Sequence, residues 1–468
     1  MSLKNVLYTL SGLLAIVGFL MLIIPLTDLL IGDELSYSFL LLGIALVISG
    51  YVSFKKAQSL TVIESFLVAS LAWLVIPTLS ALVLMIETKT AFVDAFFESM
   101  SGFTGTGFTV LTSSTLKKSI LIWRALMQWT GELGIVVFAM IVIPYFYETA
   151  RAVYGLERPI RIGMNLYETA KRLILVYSIL TLLGFVSYVV TGLTPFDAIT
   201  HIMTTIATGG MSTYNEGYDI IYAYSPNSVM PFIVFMILGA LNFVVLYNLV
   251  TGNFREVFKS EELRCFIFVL IVFSVATGAA YYILENRDFL SGFFNQVSGM
   301  STTGFSIGSL KNLKNFTKSL LILGMFFGGM TFSTAGGIKT LRLLLFLKKL
   351  NIYTEKVTLP PSVVKRVVIQ NQIVSDDELS ISFILIILYA MSAFIISSLI
   401  TLLNSEYSFI DSLFETVSAL SCVGLSVEVI TPTAPLAVKI LLILAMYVGR
   451  LEFTPILVLR TLIARRKR

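Results

Sequence analysis

The sequence predicts an all-α integral membrane protein, with two N-terminal transmembrane helices followed by four pseudo-symmetric helix, pore helix, loop, helix repeats around one central pore. Three observations carry that prediction. Of the 468 residues, 56% are hydrophobic and 13% charged, too apolar for a soluble domain. The apolar residues form ten blocks, most of them close to the roughly 20 residues a helix needs to cross about 30 Å of hydrocarbon. Four shorter apolar stretches, each too short to cross and each followed by a run rich in Gly, Ser and Thr, align with one another without gaps.

The ten blocks run approximately 7–31, 37–54, 61–86, 119–147, 171–191, 229–250, 264–285, 318–350, 380–403 and 436–461. The first is longer than the apolar core of a secretory signal and lacks a small-residue cleavage site, so it reads as a retained helix. Ten spans put both termini on one side of the bilayer. Lys4, Lys55, Lys56, the loops 151–172, 255–264 and 342–366, and the tail Arg465, Arg466, Lys467 and Arg468 hold most of the 33 Lys and Arg. The positive-inside rule makes that side cytoplasmic. The net charge of +5 follows from this topology and is no nucleic-acid footprint.

The four short stretches read FVDAFFESMSGFTGTGFT from Phe92, PFDAITHIMTTIATGGMS from Pro195, FLSGFFNQVSGMSTTGFS from Phe289 and FIDSLFETVSALSCVGLS from Phe409. In that register Gly107, Gly210, Gly304 and Gly424 coincide. Asp94, Asp197 and Asp411, with Ser291 in the third stretch, are expected to cap the short helices. Each stretch lies between two apolar spans. The divisions are a two-helix extension over 1–58 and pore repeats over 59–150, 151–256, 257–360 (its second helix broken) and 361–468.

Re-entrant helices followed by glycine-containing loops have a specific use in a membrane. A dehydrated cation needs oxygen ligands, and four loops meeting on an axis supply rings of backbone carbonyls. Aiming them demands positive φ, which costs a residue bearing Cβ roughly 1–2 kcal/mol and glycine little. The helices also point their negative dipole ends at the pore centre. Glu98 and Glu415, with Asn295 and Thr200 read at the same register, either form a partial acidic vestibule or brace the backs of the loops.

Two features interrupt the spans. GGMTFSTAGGIKT over 328–340, with Gly328, Gly329, Ser333, Thr334, Gly336, Gly337 and Lys339, is too rich in glycine to continue as a helix. Irregular backbone at that depth must be shielded or line a wet cavity, which makes it either a gate below the filter or a bend for helix packing. Arg450 in GRLEF is costly in a span, by about 2.5–3.5 kcal/mol. It reads either as an electrostatic barrier in the inner cavity or as half of an ion pair, and nearby Glu452 does not share its helix face.

Together with QWTGELGI at 128–135, STAGGIK at 333–339 and GRLE at 449–452, these repeats resemble the TrkH/KtrB/HKT superfamily of potassium transporters. The two extra N-terminal spans make the chain most similar to the TrkH branch. The resemblance implies potassium-binding segments at Thr104, Gly105, Thr106 and Gly107; Ala207, Thr208, Gly209 and Gly210; Ser301, Thr302, Thr303 and Gly304; and Ser421, Cys422, Val423 and Gly424. It further implies potassium selectivity, because sodium-preferring plant relatives carry serine where this chain has Gly107. The glycine-rich loop matches the family's gate and Arg450 its cavity arginine. Homodimerisation, a cytoplasmic nucleotide-binding regulatory subunit of the TrkA type, and residence in a prokaryotic cytoplasmic membrane are implied too. By the same resemblance potassium is the expected permeant ion, and no covalently bound cofactor is expected. The chain departs from the pattern at Glu132, where the family usually has a second glycine after Gly131.

A coupled secondary transporter, driven by sodium or protons, is the alternative within transport. Enzymatic chemistry is disfavoured: one histidine, His201, and two cysteines, Cys265 and Cys422, provide neither a metal motif nor a nucleophile constellation.

Overall fold

The computed structural model describes residues 3–54, 60–146, 166–358, 365–370, 372–404 and 406–453. The basic segments expected inside at Lys55, Lys56, most of 151–172 and the 465–468 tail lie outside these residues, as does 454–461 of the tenth block.

Among the described residues, five stretches are long and apolar enough to cross a bilayer by themselves: Leu3–Ile31, Ile63–Thr88, Lys171–Val190, Glu261–Leu284 and Asp376–Leu403. The last four are the first helices of the four repeats. Three of them start at a hydroxyl cap. Thr61 takes the amide of Glu64 and completes a capping box, Ser260 takes that of Leu263, and Ser375 that of Glu378. At the N-terminus, Leu3–Met21 packs on Tyr37–Phe54 through small residues, so close that a Cβ on Gly43 would lie 2.9 Å from the carbonyl of Gly18.

The second helices behave differently. Lys118–Phe146 of repeat one is continuous. In repeat two the helix stops at Ala240 and restarts at Phe243, where Asn242 caps the new helix through Val244 N at 2.8 Å. In repeat three it stops at Phe326 and restarts at Thr340. In repeat four it ends at Arg450, followed by positive φ at Glu452 (47°) and Phe453 (59°). The sequence pointed to a break only in the third repeat. The sixth and tenth blocks are interrupted as well, because hydropathy does not register a capping asparagine or two left-handed residues. Four unbroken first helices, with breaks confined to the second helices of repeats two, three and four, fit lipid outside and a shielded interior within. Among the described residues, which are otherwise helical or irregular, there is one antiparallel hairpin of two-residue strands, Val368–Ile369 with Gln372–Ile373, between repeats three and four.

The four pore helices are Phe92–Phe103, Pro195–Ile206, Phe289–Met300 and Phe409–Leu420, each of 12 residues and in the register read from the sequence. The residues expected as their caps need correction. Asp94, Asp197, Ser291 and Asp411 occupy the third helical position. The caps are Thr194, Asp288 and Ser408, each accepting the amide three residues on, while Ala91 offers no side chain. Displaced inward by a turn, the aspartates have other partners. The ammonium of Lys318 reaches Asp411 Oδ1 at 2.6 Å and that of Lys439 reaches Asp94 Oδ1 at 2.6 Å. Each tie runs from the second helix of one repeat to the next pore helix, and the Lys439 tie closes the circle from repeat four to repeat one. Lys439→Met is expected to destabilise by roughly 1.5–3 kcal/mol, the worth of a charged hydrogen bond, measured as thermal melting in detergent. Lys311→Met, whose exposed pair with Glu428 spans 2.9 Å, should leave the melting temperature nearly unchanged, since solvent screens such a pair.

Candidate functional site: four loops closing on one axis

After each pore helix the chain turns through the same conformations. The first loop residues, Thr104, Ala207, Ser301 and Ser421, have φ of −75°, −75°, −73° and −83°. The second, Gly105, Thr208, Thr302 and Cys422, have φ of 68°, 50°, 58° and 53°, and the fourth, Gly107, Gly210, Gly304 and Gly424, 88°, 70°, 89° and 90°. The third loop amides of Thr106, Gly209, Thr303 and Val423 donate back to the carbonyls of Ser101, Thr204, Ser298 and Ser418 at 2.8–2.9 Å. With N–H groups turned to the helix and left-handed residues at alternate positions, the carbonyls are free to face the other way. Among these sixteen loop residues, Gly209 is the one whose carbonyl takes a protein hydrogen bond from a described residue, Gln128 Nε2 at 2.7 Å.

The four loops touch in order. A Cβ built on Gly107 would fall 2.0 Å from Gly209 O, on Gly210 1.9 Å from Thr303 O, on Gly304 2.0 Å from Val423 O, and on Gly424 2.1 Å from Thr106 O. Repeat one abuts two, two abuts three, three abuts four and four abuts one. The ring is closed, so the four loops that hold all sixteen residues expected from the sequence to bind potassium come together. The sequence singled out only the fourth position of each loop for positive φ. The second is equally left-handed, yet three of its four residues carry a Cβ, so composition gave no hint beyond Gly105.

The residues at the seventh position of each pore helix hold the descending chain. Glu98 accepts from Val110 N at 3.1 Å, Asn295 Oδ1 from Ile307 N at 2.7 Å, and Glu415 from Val427 N at 3.1 Å and Ile430 N at 3.0 Å. All three are fully buried, which rules in favour of loop bracing over an acidic vestibule. In repeat two the equivalent is His201, not Thr200: its imidazole joins Asp197 O (2.8 Å) and Ser212 Oγ (3.0 Å), whereas the Thr200 hydroxyl turns back to Phe196 O. Arg124, which no sequence pattern singles out, spans repeats one and two by donating to Glu98 Oε1 (2.8 Å), Ser113 Oγ (2.8 Å) and Ser212 O (3.1 Å).

The glycine-rich segment between Phe326 and Thr340 lies against the inner side of this ring. Thr334 Oγ1 donates to Gly239 O at 2.9 Å and lies 3.2 Å from Thr208 Oγ1; Gly336 N donates to Thr302 Oγ1 at 2.8 Å. A Cβ on Gly336 would fall 2.0 Å from Ser421 O, and one on Gly328 2.0 Å from Gly336 O, so the segment folds on itself against loops two, three and four. Gly329 packs against Ala335 and accepts from Thr340 N at 3.0 Å, Ser333 Oγ donates to Met330 O, Gly337 has φ 69°, and Lys339 Nζ donates to Ala335 O.

Loop one is underlain by something else. Arg450 Nη1 donates to Glu132 Oε1 at 2.5 Å, Nη2 lies 3.3 Å from Gly131 O, and the guanidinium sits 5.1 Å from the Trp73 ring. The partner of Arg450 is thus Glu132, while Glu452 pairs with Arg342.

Residues 38–466 match the TrkH family, described as cation transport proteins. The chain is 31% identical over 462 residues to an uncharacterised cation transporter of Methanocaldococcus jannaschii, covering 97% of this chain and 95% of that one. It is 31% identical over 424 residues to the Trk system potassium uptake protein TrkH of Escherichia coli strain K12, covering 87% of each. The crystal structure of the potassium transporter TrkH from Vibrio parahaemolyticus superimposes with a TM-score of 0.86, 98% of each chain and 26% identity.

Proposed function

The chain belongs to the TrkH family of cation transport proteins, and from that membership we propose that it takes up potassium across the cytoplasmic membrane through a channel-like filter gated by the segment between Phe326 and Thr340. The observation that carries this reading is the closed ring, in which each filter glycine abuts the carbonyl before the next one. Such a ring supplies stacked oxygens on one axis, the means by which backbone replaces the water of a monovalent cation. The names of the relatives, potassium uptake proteins and a potassium transporter, favour potassium among the cations. On this reading both termini are cytoplasmic, the protein is a homodimer, and a nucleotide-binding subunit of the TrkA type docks on the basic inner loops.

Purified protein in liposomes tests it. Potassium and rubidium should pass down their own gradients, cesium less readily, sodium and lithium least, with no dependence on a pH or sodium gradient. Equal passage of sodium would sink the selectivity, and strict dependence on a second gradient would favour the coupled transporter.

The gating part has its own test. Gly336→Ala puts a methyl group into Ser421 O, so the segment can no longer seat beneath the filter. Rubidium flux without any regulatory subunit should rise, by about tenfold if seating the segment is worth the 1.4 kcal/mol of one decade. Unchanged or lower flux in monodisperse protein argues for a packing bend.

A further inference from the structure

Glu132 stands where no filter side chain can. At the second loop position, Thr208 and Thr302 send hydroxyls down to the segment beneath and Cys422 a thiol that lies 3.9 Å from Met446 O. Repeat one has Gly105 there, and a Cβ built on it would lie 2.1 Å from Glu132 Oε1. The carboxylate therefore takes the place that a filter side chain holds in the other three repeats.

Its position repeats as well. Gly131, Gly239 and Gly449 each back onto a carbonyl at the end of their own pore helix, Phe103 O, Ile206 O and Leu420 O. The residues that follow them, Glu132, Ala240 and Arg450, are thus equivalent places just below the filter, filled by one acid, one alanine and one base. Acid and base meet across the boundary between repeats four and one. The pairing is incomplete: Glu132 is 1% exposed, and its Oε2 has no hydrogen-bond partner among the described residues. A carboxylate oxygen left without a partner in a low dielectric is costly, and the other oxygen of the same group, Oε1, lies where a Cβ on Gly105 of the ring would fall.

We propose that Glu132 is a ligand for the permeating monovalent cation at the inner end of the filter, completing a site with the Thr208 and Thr302 hydroxyls, and that the guanidinium of Arg450 is a tethered competitor for it. This rests on the potassium-conducting reading above. A cation leaving the filter shares the carboxylate with Arg450 and so meets a partly neutralised arginine. Removing Glu132 leaves the arginine's charge bare, and removing Arg450 leaves an open anionic site.

Rubidium flux in liposomes, measured with barium on both sides, separates the possibilities. Barium is the probe because a divalent ion of potassium-like size binds most tightly where a carboxylate joins neutral oxygens. Glu132→Gln should lower rubidium flux by about tenfold, and Arg450→Gln should lower the half-blocking barium concentration by about tenfold. Glu132→Gln/Arg450→Gln should lose that tighter block and recover flux above Glu132→Gln alone. Equal barium block in Arg450→Gln and the double variant overturns the proposal. If Glu132→Gln does not fold, Glu132→Asp in the Arg450→Gln background withdraws the carboxylate by one methylene and should weaken the block; an unchanged block overturns it likewise. Wild-type protein that passes no potassium or rubidium would instead defeat the transport reading on which the proposal stands.

Discussion

Gly304→Ala is expected to remove selective potassium flux from a protein that still folds. The residue has φ 89°, and the new methyl carbon would be placed 2.0 Å from the carbonyl oxygen of Val423. Left-handed backbone alone costs alanine roughly 1–2 kcal/mol. The collision is worse, because neither partner is a side chain that can swing away. Val423 is held by its own amide to Ser418 O at 2.8 Å, so relief must come from opening the ring. Potassium flux should fall by tenfold or more, on the order of what one misplaced ring of oxygens forfeits, and the potassium to sodium ratio should approach one. Gly192→Ala separates strain from collision: Gly192 also has positive φ, 101°, but nothing lies within 4 Å of its Cβ position. It should lose stability and keep selectivity. Selective flux through Gly304→Ala would mean that the ring oxygens do not select.

Arg124→Ala is expected to cost about 3–5 kcal/mol of stability, as removal of one partner of a buried ion pair does. Its guanidinium is 2% exposed and Glu98 0%. The charge of Glu98 would be left with the hydroxyl of Thr109 and the amide of Val110, and the link to Ser212 in repeat two would be gone. Thermal melting in detergent measures the loss. Arg124→Ala/Glu98→Gln, which removes the stranded charge, should be more stable than Arg124→Ala alone. A loss under about 1 kcal/mol would place Arg124 among ordinary surface pairs.

The starts and mutual register of the pore helices were legible because four copies of one pattern fix a register that no single copy does, although the caps and the equivalence of His201 were not. Gly107, Gly210, Gly304 and Gly424 announced their backbone for the same reason. What escaped was pairwise and distant. Arg450 and Glu132 lie 318 positions apart in the chain, and only folding shows that the dipeptides Gly131-Glu132 and Gly449-Arg450 occupy equivalent places. The aspartates were misread as caps because a residue at the third helical position shares its preference for carboxylates with the cap, both serving the positive end of the dipole. The break at Asn242 was hidden because one asparagine among apolar residues barely alters hydropathy, while its side chain both caps Val244 and reaches Thr331 O.

Everything turns on whether the four loops hold a cation on their common axis. Crystals of the protein grown in rubidium and measured at the rubidium absorption edge address this most directly. Anomalous peaks are expected on the axis ringed by the carbonyls preceding Gly107, Gly210, Gly304 and Gly424. Well-diffracting crystals with no peak there, or with rubidium bound only elsewhere, would contradict it.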